Sequence, residues 1–504
     1  MRVVITLSAL VGLIVFIGLL AAPLPAILLL LSDDAYYYLN VARNSTLGLG
    51  WTFDGINASN GWHPLWMVVL HPVFYLIDNR EWALRSTLIL QLLLASGVLL
   101  AVWQFIRARM AGSIALGLTG LAGMLVMAPI PLLLLNGLET SLVLLVELLL
   151  IHALATDPGN TRQRAIVGLL IGLLFLARLD SAYIVLSLGI FLLVTELRAG
   201  HSIPAIIQRW WLGGLIAALL AAAYFAWNFA EFGHATPISG TFKNSFPDPN
   251  LRLGFLTRVP HFALGIIVAV AWLGYRTMQG GSRWHGALLA IGVGCLIHLL
   301  WSIVFMAWGT FQWHFVTYVP VVVFAVVDMI RVFGRFERTL AGLGLAAVIL
   351  TTAGIIALKG GQHVERLEAA RWVSENLEPE ARIGLRDAGI FGYFSDQGVV
   401  NLDGLINSYE FRDAIYSGEI ESFLQDSNVQ YTADAYVPCD YERFRVLIFA
   451  LAPGEGSRLV GESREFERQD ELFRAPGRKA FERFRLGETC MVIWRGRGKA
   501  GPLP

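Results

Sequence analysis

Two adjacent carboxylates, Asp33 and Asp34, close an almost wholly apolar run in LLSDDAYYYLNVARN (30–44). Membrane segments ordinarily end on Lys, Arg or aromatic anchors, so paired acids here call for a chemical reason. A carboxylate at a membrane boundary can serve as a general base, taking the proton of a hydroxyl. Ser32 is a natural N-cap, which makes Asp33 and Asp34 the first helical positions, where acids also favour the helix dipole. Ionisable groups at the mouth of a membrane bundle are costly and usually functional, and that reading outweighs capping alone. Helical spacing places Asp33, Tyr37, Asn40 and Asn44 on one face and Asp34 about 100° away. One aspartate can then face a cavity while the other braces it; which of them is the base stays open.

Further polar residues stand at the ends of apolar runs. Glu139, in LNGLETSLV, begins one; its plain alternative is a first-turn dipole residue. Arg178 and Asp180, in LARLDSAY, form either a structural clasp or, through the guanidinium fork, a phosphate holder. Lys243 lies in the Gly-, Pro- and Ser-rich loop GHATPISGTFKNSFPDPN (233–250), an ordinary connection or a lid whose cation meets a phosphate. Arg43, in the ARN run, is a third cation available to a phosphate. His63, in SNGWHPLW, and His314, in the aromatic WGTFQWHFVTY, join Tyr37, Glu139 and Asp180 as candidates for contacting an acceptor or a sugar. No HExxH, clustered Cys/His or EF-hand pattern is present, and neither is a Walker A lysine motif or GxGxxG; no metal site or nucleotide site is expected.

The elements that must position these residues lie in lipid. Of 504 residues, 56% are hydrophobic and 15% charged, against roughly 25% charged in soluble domains. The net charge of zero argues against a nucleic-acid partner. The first apolar run is too long for the h-region of a signal peptide and is read as a retained span. Spans are expected near 3–22, 85–106, 112–130, 132–154, 164–178, 181–196, 211–229, 262–276, 285–308, 315–331 and 340–358, about eleven in all. Arg2, Arg107, Arg109, Arg162, Arg164, Arg198, Arg209, Arg276, Arg283, Arg331, Arg335 and Arg338 fall on one set of connections. The opposite set holds fewer, so the first set is read as cytoplasmic with the N-terminus. The acid pair and the tail then lie outside. The long loop 32–84 contains WHPLWMVVLHPVFYLID, read as a helix at the outer membrane surface rather than a crossing.

The tail changes character. HVERLEAARWVSENL has helical spacing, and ARIGL, GVVNL, YTADAYV, RVLIFAL and CMVIW read as short strands. The domains are therefore a membrane module over 1–358, including the loop 32–84, and an extracytoplasmic α/β domain over 359–504. Of the three cysteines, Cys439 and Cys490 can pair if the tail is in an oxidising compartment, and Cys295 lies in an apolar run.

The run DDAYYYLNVARN…GLGWTFDG…NGWHPLWMVVLHPVF resembles the first outer loop of bacterial GT-C glycosyltransferases. It is also similar to that of the mycobacterial terminal arabinofuranosyltransferases. GLETSL, LARLD and the tail's DAGIFGYFSDQGVVNLDGLIN resemble further landmarks of that broad group. Tyr36 to Tyr38 and NGWHPLW depart from its commoner residues. The resemblance implies a polytopic α-helical membrane protein of about eleven spans with a GT-C-like core, in a bacterial inner membrane. It implies inverting transfer of a sugar, such as a pentofuranose, from a polyprenyl-phosphate donor to a hydroxyl of an envelope glycan or lipid. Asp33 or Asp34 would be the base, and Arg178 or Lys243 would steady the leaving phosphate. No cofactor is implied, although two carboxylates leave a divalent ion open. A lipid-linked-sugar flippase or a non-catalytic envelope assembly protein is the alternative. The lack of repeat symmetry and the acids gathered on one side speak against transport.

Overall fold

The computed structural model describes residues 2–110, 112–334, 337–359, 363–452, 458–477 and 489–503. The chain opens with α1 (Arg2–Ala21), the short α2 (Leu24–Leu28), α3 (Asp33–Thr46), α4 (Pro64–Leu76), α5 (Arg80–Arg109), α6 (Ile114–Met127) and α7 (Thr140–Leu154). It continues with α8 (Thr161–Ala177), α9 (Ala182–Arg198), α10 (Ile203–Phe232), α11 (Ile238–Lys243), α12 (Pro260–Met278), α13 (Arg283–Phe305), α14 (Tyr318–Phe333) and α15 (Glu337–Lys359). Each apolar stretch of the sequence except 132–154 falls on one of these helices. Among the described residues six segments are long and apolar enough to cross a membrane by length and composition: α5, 179–198, α10, α12, α13 and 337–355. Leu93, Ile207 and Leu300 are more than half exposed on such helices, as lipid-facing positions should be. Where two helices approach most closely, side chains vanish: a Cβ on Gly168 of α8 would lie 2.1 Å from the Gly213 carbonyl oxygen of α10.

Two expectations are revised. The run 132–154 is not one span. A single π-helical turn over Ile130–Leu134 is followed by a break in which Gly137 takes φ +82°, and α7 restarts only at Thr140. Gln91 stabilises the break: its Oε1 accepts from the Gly137 N–H and its Nε2 donates to the Leu138 carbonyl. Glu139 thereby sits at the head of a new helix. The loop 32–84 ends earlier than expected, because Asn79 accepts from the Trp82 N–H and starts α5 at Arg80. At 13 residues α4 is only about 20 Å long, too short to cross. Its Trp66 is buried, whereas Tyr75 and Leu76 at its end are exposed.

The tail comprises α16 (Val364–Asn376), β1 (Arg382–Leu385), α17 (Gly389–Phe394), β2 (Gly398–Asn401), α18 (Tyr409–Ser417), α19 (Ile420–Asp426), β3 (Tyr431–Pro438), β4 (Arg443–Ala452), β5 (Arg458–Glu467), β6 (Glu471–Pro476), β7 (Thr489–Arg495) and β8 (Lys499–Gly501). One sheet runs β2-β1-β3-β7-β6, with β1 parallel to both neighbours and β7 antiparallel to both of its own. A second antiparallel sheet runs β4-β5-β8. All five short strands read from the sequence are present; β5, β6 and β8 were not foreseen. Cys439 and Cys490 are disulfide-bonded, joining the end of β3 to β7. Cys295 is free and buried.

Candidate functional site

The two aspartates at the head of α3 part ways. Asp33 turns toward the tail, where its Oδ2 accepts from the Gly389 N–H at 2.9 Å and its Oδ1 from the Ile390 N–H at 3.0 Å. The Arg366 guanidinium lies 2.8 Å from the same Oδ1. Gly389 is required for this approach, since a Cβ there would sit 2.0 Å from the Asp33 carbonyl oxygen. One turn on, the Tyr37 hydroxyl donates to Asp403 and accepts from the Ala388 N–H. Asn40 and Asn44, on the same face, hold the carbonyls of Thr52 and Phe53. Ser32 occupies the N-cap position but its hydroxyl points to the Asn136 carbonyl, leaving the cap itself unmade.

Asp34 instead faces a cavity of about 300 Å³ between the heads of the membrane helices and the tail. The same cavity is lined by Tyr37, His63, Glu139, Arg178, Asp180, Lys243 and His314. Eight of the ten residues singled out in the sequence thus converge. Asp33 is not on the lining, and Arg43 lines a separate cavity with Arg80 and Arg371.

Within the cavity Arg178 is fully engaged. Its Nη1 donates to Glu139 at 2.7 Å, and its Nε and Nη2 grip both oxygens of Asp180 at 3.0 and 2.6 Å. Tyr38 also donates to Glu139, and His63 Nε2 lies 3.8 Å from it. This clasp ties the head of α7 to the turn between α8 and α9. The ammonium of Lys243, at the end of α11, makes no hydrogen bond or ion pair with any described residue, and neither does the Asp34 carboxylate. Phe242 beside it is buried against Gly404 of the tail, where a Cβ would meet its ring at 2.4 Å. The tail therefore braces both Asp34, through Asp33, and Lys243, through Phe242.

The electrostatics separate the roles. Asp34 is half-buried, with its accessible surface on the cavity; crowding by protein raises its pKa from 3.8 to about 7, and Asp33, Asp387 and Asp403 push the same way against Lys243. Burial lowers His63, with Arg178 and Lys243 adding to it against Glu139. Burial, then Lys243 and Arg178, hold His314 well below its ordinary value, so it is neutral near pH 7. The backbone N–H of Phe311 donates to His314 Nδ1, which leaves the proton on Nε2. The cavity thus offers one carboxylate of raised pKa, one ammonium without a hydrogen-bonded partner and an aromatic rim of Trp62, Tyr183, Trp301 and Trp313. Among the described residues no group of three or more His, Cys, Asp or Glu side chains is placed to hold a metal.

In sequence, the profile of a domain of unknown function, DUF8728, matches residues 347–478, which takes in the end of α15 and most of the tail. No curated protein matches the chain. Solved structures do. ArnT from Cupriavidus metallidurans bound to undecaprenyl phosphate superposes with a TM-score of 0.55 at 13% identity, over 90% of this chain and 97% of that one. The archaeal oligosaccharyltransferase AglB from Archaeoglobus fulgidus, in complex with an inhibitory peptide and a dolichol-phosphate, gives 0.53 at 12% identity over 81% of this chain. The apo oligosaccharyltransferase of the same organism gives 0.51 at 13% identity. The fold is GT-C. The chain spans 66% of the length of AglB, so the GT-C likeness to that protein is partial.

Some residues of this cavity and its surroundings escaped the sequence reading. His298 lines the cavity, stacks on Tyr183 and lies 3.9 Å from Asp180, yet it stands in an apolar run with no motif around it. Arg366 comes from an amphipathic tail helix in which nothing marks it as the partner of Asp33. Leu405, which reaches the lining from the tail, gives no signal at all.

Proposed function

We propose that the protein is an inverting glycosyltransferase that moves a sugar from a polyprenyl-phosphate donor to a hydroxyl of an envelope glycan or lipid. The observation that carries this reading is the position of Asp34, alone of the pair, on a cavity that also presents the unpaired Lys243. The ligands named for ArnT and AglB, undecaprenyl phosphate and dolichol-phosphate, support a donor of that class.

In this reading Asp34 takes the proton of the acceptor hydroxyl as its oxygen bonds to the anomeric carbon. The bond from that carbon to the phosphate oxygen breaks with inversion, and the electron pair leaves on the lipid phosphate. Lys243 stabilises the charge that develops there. A raised Asp34 suits the task, because a base titrating near neutrality is both available and strong enough to accept the proton. The neutral His63 and His314 orient hydroxyls, and the aromatic rim stacks on the sugar. Arg178, held between two carboxylates, positions Glu139 and Asp180 toward the acceptor or sugar.

No cofactor enters this scheme. A pentofuranose such as arabinose is the sugar favoured by the similarity of the first loop to arabinofuranosyltransferases. The membrane would be the bacterial inner membrane, with the N-terminus cytoplasmic and the tail outside. The test is a proteoliposome assay with a labelled polyprenyl-phosphate sugar and an envelope acceptor. Acceptor-dependent release of polyprenyl phosphate is the expected result. Movement of the labelled lipid between leaflets without cleavage would point to a flippase instead.

A further inference from the structure

About two and a half helical turns separate Asp34 from Arg43, so their side chains leave α3 on opposite sides. On the Arg43 side a second, open cavity of about 400 Å³ lies between the head of α5 and the tail. Leu24, three residues past the end of α1, forms part of its wall, as does Phe394 of α17. Three arginines from three separate elements face it: Arg43 from α3, Arg80 from the head of α5 and Arg371 from α16.

The positive charge there is incompletely answered. Neither the Arg43 nor the Arg371 guanidinium makes a hydrogen bond or ion pair with any described residue. Arg80 is held through Nη1 by Asp396 at 2.8 Å and the Phe394 carbonyl at 3.3 Å, while its Nε is buried with no partner. Of the acids nearby, Asp396 is engaged by Arg80 and Glu81 by Arg85 at 2.5 Å, leaving Asp78 as the one unengaged carboxylate on the lining. Burial, and then the like charge of Arg80, pull the Arg43 guanidinium below its ordinary pKa, a cost that a bound anion would relieve.

Planar guanidiniums that outnumber the free carboxylates beside them are suited to phosphate oxygens, which they meet in paired hydrogen bonds. Arg80 stands at the head of α5, one of the helices long and apolar enough to cross a membrane, and the end of such a helix is the depth of lipid headgroups. We infer that Arg43, Arg80 and Arg371 bind the phosphodiester of an anionic lipid headgroup, at a site separated by the body of α3 from the Asp34 cavity. The lipid would add a second link between α3 and the tail, alongside the Asp33 contact and on the side away from Asp34.

The test uses the full-length protein in neutral detergent, with dihexanoyl phosphatidylglycerol, dihexanoyl phosphatidylcholine and inorganic phosphate titrated separately and thermal unfolding as the readout. Phosphatidylglycerol is expected to raise the melting temperature saturably, and phosphatidylcholine to leave it unchanged. Arg43→Gln with Arg371→Gln should weaken phosphatidylglycerol binding by about tenfold or more, the worth of one lost charge-assisted bond. Asp78→Asn, which removes the opposing carboxylate, should tighten it and guards against a double variant that folds poorly. Unchanged binding in the double variant, or no gain in Asp78→Asn, would overturn the site. Equal affinity for inorganic phosphate would overturn the lipid as its ligand.

Discussion

The Asp33 carboxylate lies 2.8 Å from the Arg366 guanidinium, across the boundary between the head of the membrane bundle and the tail domain. Two backbone N–H groups at the start of α17 complete its shell. Asp33 is consumed by this contact, and its neighbour Asp34 is left to face the cavity. The acid pair therefore divides into one residue that holds α3 to the tail and one that faces the cavity.

Arg366→Met should be costly. Both partners are largely buried, and removing one strands the other, which in buried pairs costs about 3–5 kcal/mol. Thermal unfolding of the purified protein in detergent measures it. A variant as stable as the wild type would mean that the tail is not held to α3 through this pair.

The pH profile follows from Asp34. With its pKa raised to about 7, the carboxylate is protonated below that value and the transfer rate should rise with pH through about 7. Asp33 contributes to the raised value, so Asp33→Asn should move the rising limb to lower pH. The stability linkage runs the other way. The folded state holds a proton on Asp34 that the unfolded chain, titrating near 3.8, has already released, so the contribution is full below about 4 and is lost as pH climbs through 7. Asp34→Asn should accordingly be more stable than the wild type at pH 8, by roughly 1–3 kcal/mol, and no more stable at pH 4.

Lys243→Met removes the unpaired ammonium on the cavity. Transfer should fall by about 10²-fold, the usual worth of one stabilising group at a developing anion. Melting temperature should change little, because Lys243 has no partner to strand. Partial rescue by Lys243→Arg in steady-state kinetics would separate a charge requirement from a packing one.

Arg178→Ala behaves differently. Its guanidinium is the clasp between Glu139 and Asp180, so its loss leaves two carboxylates without their cation. Stability should drop by about 3–5 kcal/mol along with activity. Activity lost at unchanged melting temperature would instead assign Arg178 a direct contact with the donor phosphate.

The membrane core and the acid pair were legible because each depends on a strong local signal: long apolar runs for the helices, and Asp33–Asp34 against an apolar flank for the site. Helical spacing also separated Asp34 from the face of Asp33, Tyr37, Asn40 and Asn44, all of which do hold the tail or the loop at Thr52 and Phe53. What stayed hidden depends on distant residues. Arg366 meets Asp33 only in the folded chain, and His298 is one more residue of an apolar helix until α9 and α14 surround it. The break at Gly137 was invisible because leucines continue on both sides, while the stabilising Gln91 comes from another helix. Strand β5, RLVGESREFE, carries too many charges to show a clean alternation.

In the proposed reaction Asp34, not Asp33, is the base. Initial rates of sugar transfer from a polyprenyl-phosphate sugar, measured at pH 8 for folded Asp34→Asn and Asp33→Asn side by side, test it most directly. A fall of about 10²–10⁴-fold is expected for Asp34→Asn, and for Asp33→Asn a much smaller loss with the rising limb of its pH profile moved downward. Retained transfer in Asp34→Asn together with abolished transfer in a folded Asp33→Asn would contradict it.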